Sequence, residues 1–230
     1  MKKEFTIKLK KRIINNKNNK NNKNNKMENN LFSKVKNFFG VSKNEETSII
    51  TNEELITTKT KITTPQQLLE TLDYSHDWCT SLCHILEIHE TSKKYDGGIG
   101  LELGSFKGQA TLAMSLAGLR MVSYDIDDTC EHERMDLLKG REVDWIKARS
   151  DNSLNESRTF DVIFHDADHG DTIIPELIRL FNERLNTNGV LMVHDSHQLT
   201  LAKLFSGIGE HSYYVTPDEI GRELLTITKL

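Results

Sequence analysis

After residue 98 the chain alternates between short apolar runs and longer stretches in which apolar residues recur every three or four positions. The short runs have the length and composition of buried strands. They lie at residues 99–103, 121–126, 143–148, 160–165, 190–194, 212–215 and 224–228. The periodic stretches predict helices at residues 110–119, 131–138, 175–185 and 199–205. This β–α alternation predicts an α/β fold with a doubly wound, mostly parallel sheet that is covered on both faces.

A helical region precedes the first predicted strand. Thr64, Pro65 and Gln67 form the pattern of a capping box with proline at the first helical position. Apolar residues then recur at helical spacing through Leu86. We therefore expect a domain that spans residues 63–230 and begins with an N-terminal helical extension.

Residues 1–30 form a tail that is rich in asparagine and lysine. Its first 26 residues contain nine lysines, one arginine and one glutamate, which gives a net charge of +9. Such a segment buries too little apolar surface to offset its ordering entropy, so we expect disorder. A basic arm can contact nucleic acid or a membrane surface, but no aromatic residue interleaves with the lysines after Phe5. We favour a low-complexity extension without a role, followed at residues 31–62 by a linker with a short amphipathic segment.

Charge and composition limit the class of protein. The whole chain has a net charge of −4, but the part after residue 26 holds 20 basic and 33 acidic residues, a net charge of −13. A body with this charge repels phosphates, which argues against a nucleic-acid substrate. No uncharged apolar run approaches about 18 residues, which argues against a transmembrane helix, and we expect no membrane partner. Three cysteines do not form a disulfide framework and fit the reducing cytoplasm.

A glycine-containing loop follows the first predicted strand. It reads ELGSFKG at residues 102–108 and leads into the next predicted helix. Gly104 permits a sharp turn and a close approach of the backbone to a ligand. The spacing differs from the G-x-G-x-x-G fingerprint that cradles a pyrophosphate, which argues against a nicotinamide-dependent oxidoreductase. A loop with an acid and without a phosphate cradle suits a cofactor that carries a cationic group.

Asp125 ends the second predicted strand, about 20 residues after the loop. A carboxylate at this position accepts hydrogen bonds from the hydroxyls of a ribose. A solvated carboxylate at the end of a strand is the alternative. The order of strand, glycine loop, strand and acid is a stronger signal than each feature alone.

These motifs resemble those of the class I S-adenosylmethionine (SAM)-dependent methyltransferases, and the resemblance covers residues 99–230. It is greatest to groups related to the macrocin and rhamnosyl O-methyltransferases and to the so-called cephalosporin hydroxylases. Those groups have a similar Glu-Leu-Gly-Ser/Thr-x-Lys-Gly loop and a later Asp-x-Asp-His motif. The resemblance implies a Rossmann-like sheet of seven strands with an antiparallel last strand.

The same resemblance assigns cofactor-binding residues. It implies a SAM pocket made of Glu102, Gly104, Ser105, Gly108, Asp125, Asp151 and Asp166. The acid and the loop backbone at residues 102–108 would hold the methionine part of SAM. Asp125 would bind the ribose, and Asp151 would lie by the adenine.

Acidic residues and histidines are concentrated after the fourth and fifth predicted strands. Residues 165–171 read HDADHGD, and residues 194–197 read HDSH. Because both segments leave the carboxyl ends of adjacent strands, we expect them to converge on one pocket mouth. The two-residue period of a strand directs Asp166 to the pocket and His165 to the opposite face. Such a cluster suits a divalent metal or acid–base chemistry, with solvated loop residues as the alternative.

In metal-dependent relatives the residue that matches Asp166 is a metal ligand, and a base stands three positions later, where this chain has His169. The resemblance implies Asp195 as a second ligand and leaves the third open between His194 and Ser196. His194 differs from the carboxylate or amide of those relatives, which favours manganese or iron over magnesium. His169 would take a proton from a hydroxyl beside Asp166, so these two residues are the predicted catalytic pair.

Together these features predict a SAM-dependent methyltransferase that methylates a hydroxyl group of a small molecule, with or without a divalent metal. The alternative is a catalytically silent methyltransferase-like module that binds or scaffolds. No motif in residues 199–218 indicates the methyl acceptor, and the sequence contains no signal for an oligomeric state.

Overall fold

We describe the protein from a computed structural model, which describes residues 80–230. The predicted tail at residues 1–30, the linker at residues 31–62 and the helix start at Thr64 lie outside the described residues.

The described residues form a single seven-stranded sheet. Its strands are β1 Ile99–Leu103, β2 Arg120–Asp125, β3 Val143–Lys147, β4 Phe160–His165, β5 Leu185–Val193, β6 His211–Pro217 and β7 Glu223–Lys229. The spatial order is β3-β2-β1-β4-β5-β7-β6. Strands β1 to β5 are parallel, whereas β7 is antiparallel to both β5 and β6. This confirms the predicted Rossmann-like, doubly wound sheet with an antiparallel last strand.

Five α-helices accompany the sheet in this part of the chain. They are α1 Leu82–Ser92, α2 Gln109–Leu116, α3 Glu131–Leu137, α4 Ile174–Arg179 and α5 Leu201–Gly207. A π-helical turn, Leu180–Arg184, continues α4. No helix of residues 80–230 has the length and apolarity needed to cross a membrane.

The predicted helix over residues 175–185 extends too far, and the predicted strand over residues 190–194 begins too late. Leu185 is the first residue of β5, where it pairs with Phe160 of β4. The side chain of Asn186 donates a hydrogen bond to Asp161 Oδ1 at 2.8 Å, which ties this stretch to β4. Sheet pairing therefore overrides the helical spacing of the apolar residues, a long-range effect that local periodicity does not contain.

The helix that was predicted over residues 110–119 is shorter in the structure, where it ends at Leu116. Gly118 follows with a φ of +100°, a left-handed conformation that stops a helix. Leu119 then packs in the core as part of the turn into β2.

The core lies on both faces of the sheet because the side chains of each strand alternate. Leu101 and Leu103 point to the face that α4 and α5 cover. Val162 and Phe164 point to the face that α1 and α2 cover. Every strand from β1 to β5 is parallel, so their carboxyl ends share one edge of the sheet. The strand order reverses between β1 and β4 at this edge, which is where ligands bind in open α/β sheets.

The side chain of Phe164 is fully buried in the central strand β4, so its removal leaves a cavity in the core. We expect Phe164→Ala to lower the free energy of unfolding by about 3–5 kcal/mol. Denaturant unfolding measures this loss. Phe164→Leu is the matched control and should cost clearly less, and a loss below about 1 kcal/mol for the alanine variant would contradict this packing.

Candidate active site

Glu102 is a buried carboxylic acid near the carboxyl end of β1. Its Oε2 accepts hydrogen bonds from Thr111 Oγ1 and, at 2.8 Å, from Ser123 Oγ. Burial raises the pKa of Glu102 to about 7, the two hydroxyl hydrogen bonds oppose this shift, and the charges of Asp166 and Asp125 add to it. Near neutral pH this group therefore exchanges between its neutral and ionised forms, and a cation beside it would favour the ionised form.

Gly104 brings the loops after β1 and β4 into direct backbone contact. Its φ is +86°, and a Cβ at this position would lie 2.5 Å from Asp166 O and 2.7 Å from Ala167 N. Leu103 O accepts a hydrogen bond from Asp166 N at 2.8 Å, and Gly104 N donates one to Tyr124 O at 2.9 Å. Only glycine fits here without moving the β4 loop.

Asp125 holds the glycine loop in place. Its Oδ2 accepts hydrogen bonds from the backbone N–H of Phe106 at 2.7 Å and of Ser105 at 3.0 Å. Its Oδ1 accepts one from Asp127 N at 2.8 Å. The predicted ribose acceptor is thus also the anchor of the loop, and its carboxylate is partly exposed at the edge of the sheet.

Two further predicted cofactor residues lie at this edge. Gly108 is the N-cap of α2, with a φ of +81°, and its N–H donates to Ser105 O at 2.6 Å, which closes the loop. Asp151 lies in the 3-10 turn Ser150–Asn155 after β3 and is exposed, with Arg149 Nε 3.4 Å from its Oδ2. Because β3 neighbours β2, this turn leaves the sheet on the same side as Asp125.

Asp166 and His194 form a hydrogen-bonded pair. His194 Nδ1 lies 2.9 Å from Asp166 Oδ1, and Thr80 Oγ1 donates to Asp166 Oδ2 at 3.1 Å. Burial of His194 disfavours its charged form, but the hydrogen bond and charge of Asp166, together with the charge of Asp195, raise the pKa of His194 above its ordinary value. An ionised Asp166 requires a proton on Nδ1, so the second ring nitrogen, Nε2, is left to accept or hold a proton.

His84 of α1 packs edge-on against His194, with ring centroids 5.2 Å apart and an interplanar angle of 83°. Its Nε2 donates a hydrogen bond to Thr216 O at 2.9 Å, and its Nδ1 is buried without a protein partner. Burial and the neighbouring His194 lower the pKa of His84 to about 4. His84 therefore stays neutral near pH 7 and presents an uncharged ring to His194.

His169 lies at the mouth of this site and is exposed, with Nε2 3.9 Å from Asp195 Oδ2. His197 Nδ1 lies 3.9 Å from the other oxygen, Oδ1, of the same carboxylate. Asp195 has a φ of +52°, and its carboxylate lies between the two imidazoles. Ser196 is buried, and its hydroxyl donates to Glu223 O at 3.4 Å, so it faces β7.

The predicted metal ligands do not form a coordination set. Within residues 80–230, no group of three or more His, Cys, Asp or Glu side chains is placed to hold a metal ion. Asp166 and His194 are hydrogen-bonded to each other, and His194 Nδ1 lies 3.8 Å from Asp195 Oδ2. These contacts give no support for a metal, and we derive no chemistry through one.

His165 points away from this site. Its ring is fully buried on the opposite face, where Nε2 lies 3.5 Å from Glu176 Oε1 of α4. The two-residue period of β4 correctly separated His165 from Asp166.

Several residues of the site escaped the sequence analysis. They are Thr80, His84, Thr111, Ser123 and Arg134. Thr111 had a weak signal, since it stands one helical turn after Gly108 at the start of the helix that follows the loop. The others had none, because each reaches the site through a contact between distant parts of the chain.

The overall architecture is the class I fold of SAM-dependent methyltransferases, as the strand order and antiparallel last strand define it. Residues 101–196 match the model of a family described as a methyltransferase domain. No curated protein matches the chain.

Solved structures with the same fold include two that hold S-adenosylhomocysteine (SAH). One is a methyltransferase from Podospora anserina, with 15% identity and a TM-score of 0.57, covering 81% of this chain and 100% of that one. Another is an O-methyltransferase from Bacillus cereus, with 14% identity and a TM-score of 0.56, covering 77% of this chain and 94% of that one.

A third structure is described as a SAM-dependent methyltransferase from Streptococcus mutans. It has 15% identity and a TM-score of 0.53, and the match covers 64% of this chain. This chain spans about half of its length, 48%. At these identities the likeness to solved structures shows the fold alone.

The raised pKa of Glu102 predicts that the stability of the protein depends on pH. The folded-state pKa of Glu102, about 7, lies above the value of about 4.3 for an exposed glutamate. The folded state therefore binds a proton that the unfolded state has released, and the stability from this proton is lost as pH rises from about 4 to about 7. Glu102→Gln cannot ionise at this position. We therefore expect the melting temperature of this variant, minus that of wild type, to increase as pH rises from about 5 to about 8.

Thermal unfolding of both proteins across this pH range measures the difference. Glu210→Gln, at an exposed carboxylate, is the matched control and should show no such trend. A difference between Glu102→Gln and wild type that is constant with pH would contradict the raised pKa of Glu102.

Proposed function

We propose that this chain is a SAM-dependent methyltransferase that methylates a hydroxyl group of a small molecule. The observation that carries the proposal is the backbone contact at Gly104. The glycine loop lies directly against Asp166, so the proposed cofactor site would share one edge of the sheet with the carboxylate–imidazole cluster.

The cofactor site of the proposal consists of the loop and the two strand-end acids. Glu102 would face the cationic end of SAM, since a nearby positive charge favours its ionised form. The backbone from Gly104 to Gly108 would hold the methionine part. Asp125 would accept hydrogen bonds from the ribose, and the turn that contains Asp151 would border the adenine.

The acceptor site of the proposal is the acid–histidine cluster. When bound, SAM supplies an electrophilic methyl group on a sulfonium ion. The protein must then hold a hydroxyl oxygen in line with that methyl carbon and take the hydroxyl proton. His169 is exposed enough to meet an acceptor, and its Nε2 lies 3.9 Å from Asp195 Oδ2. Asp166 would lie beside the hydroxyl, with its orientation set by His194 and Thr80.

Three observations narrow the acceptor class. Imidazole and carboxylate groups are bases suited to a hydroxyl proton, and one structural neighbour is an O-methyltransferase. The net charge of −13 outside the tail disfavours a nucleic-acid acceptor. Metal assistance has no support from the donor geometry, so the proposed reaction uses side chains alone.

We also propose that the protein acts in the cytoplasm.

Calorimetry with SAH tests the cofactor part of the proposal. We expect wild type to bind SAH and Gly104→Ala to lose most of this affinity, because the added methyl group displaces the β4 loop. Gly140→Ala is a matched control, since Gly140 also has a left-handed φ, of +79°, but an added Cβ there meets no atom within 4 Å. Wild type that does not bind SAH at millimolar concentration would overturn the proposal.

A screen of hydroxyl-containing acceptors, read out by SAH formation, tests the chemistry. We expect His169→Asn to lower kcat by about 10²–10⁴ while SAH binding is retained, since it removes the proton acceptor only. His197→Asn is the matched control, because His197 lies at the same distance from Asp195 but on its other oxygen. We expect EDTA to leave the activity unchanged.

The outcomes separate the alternatives. SAH binding without turnover on any acceptor would favour the silent binding module. Activity that EDTA abolishes and a divalent metal restores would show that the cluster rearranges to bind metal. Full activity in His169→Asn would remove His169 from the mechanism.

A further inference from the structure

Arg134 is a buried cation whose position the proposed reaction does not explain. It lies on α3, and only 7% of its side chain is exposed. A buried guanidinium is costly unless its donors are paired, so its contacts indicate what its burial achieves.

All the described polar contacts of the Arg134 side chain are with the cofactor edge of the sheet. Nη1 donates to Phe106 O at 2.6 Å, and Nη2 donates to Asp127 O at 3.1 Å. Nη1 also lies 3.6 Å from Asp125 Oδ2. The guanidinium lies over the ring of Trp145 in β3, 5.4 Å from its centroid. One side chain thus joins the glycine loop, the end of β2 and β3.

Phe106 is held from both sides by this arrangement. Its N–H donates to Asp125 Oδ2 at 2.7 Å, and its carbonyl accepts from Arg134. Its φ is +43°, an unfavourable conformation for a residue that is not glycine. Such a conformation persists only where the surroundings over-determine it, and here Asp125 and Arg134 fix both peptide groups of Phe106.

The same region of the structure fixes the orientation of the Asp125 carboxylate. Its Oδ2 is occupied by two loop N–H groups and lies near the positive charge of Arg134. Asp125 therefore holds the N–H side of the loop, whereas Arg134 holds the carbonyl of Phe106. Removal of Arg134 would leave the N–H side of the loop anchored and would release this carbonyl.

We infer that Arg134 is a positioning residue that locks residues 104–108 in the conformation that receives the methionine and ribose parts of SAM. The inference deepens the proposed function and rests on it for the identity of the ligand. The conformation of residues 104–108 in the free protein is measurable without a ligand.

Lysine cannot replace arginine in this role. The planar guanidinium donates to Phe106 O and Asp127 O at the same time from two different nitrogens, and its Cζ lies over the Trp145 ring, 5.4 Å from the centroid. A lysine ammonium keeps the charge near Asp125 but lacks this geometry. Arg134→Lys therefore separates the effect of charge from the effect of geometry.

The experiment compares Arg134→Met and Arg134→Lys with wild type, using the full chain. Hydrogen exchange measures the amides of Ser105 and Phe106, with the amides of β4 as an internal reference for global stability. Calorimetry well below the melting temperature measures SAH affinity. Arg179→Met is the matched control, because Arg179 forms an exposed ion pair with Glu183 far along the chain from the loop.

We expect Arg134→Met to speed exchange of the loop amides at least tenfold with β4 unchanged, and to weaken SAH binding at least tenfold. Arg134→Lys should fall between Arg134→Met and wild type, and Arg179→Met should match wild type. Loop exchange within twofold of wild type would overturn the inference, and so would equal acceleration in the loop and β4. If wild type does not bind SAH, the proposed function fails, and loop exchange alone still decides whether Arg134 is a lock.

Discussion

The close approach of Gly104 to the backbone of Asp166 and Ala167 is the contact on which the rest of the site depends. It occurs where the strand order reverses, which is the place where ligands bind in open α/β sheets. A side chain at residue 104 would separate the loops. The hydrogen bond from Asp166 N to Leu103 O would then be lost, and with it the fixed distance between loop and acid–histidine cluster.

Three carboxylates along this edge are stabilised by three different kinds of partner. Glu102 is buried and held by hydroxyl groups, Asp125 by backbone N–H groups near a guanidinium, and Asp166 by an imidazole. The pKa of Glu102 is raised because burial disfavours its charged form by more than the hydroxyl hydrogen bonds favour it. The nearby charges of Asp166 and Asp125 raise it further. An acidic edge of this kind favours a cationic ligand, which is consistent with a sulfonium cofactor.

Prediction from the sequence succeeded where the signal was local. It failed where contacts between distant residues determined the structure. The two-residue period of β4 correctly directed Asp166 and His165 to opposite faces. Leu185 was wrongly placed in a helix, because its pairing with Phe160 has no trace in the periodicity around it. His84 was not identified, because an isolated histidine on a helix carries no information about the ring against which it packs.

The sequence by itself determined the α/β architecture, the glycine loop and the order of acids at the strand ends, since these follow from periods of two and 3.6 residues and from turn chemistry. Only the tertiary structure decided the partners of those acids. It directed Asp125 to the loop N–H groups and brought Arg134 onto the loop carbonyl. It also paired Asp166 with His194, where the sequence had indicated shared metal ligands. The physical reason is that burial penalises a polar group that has no partner, and the chain supplies that partner from whichever segment the fold brings near.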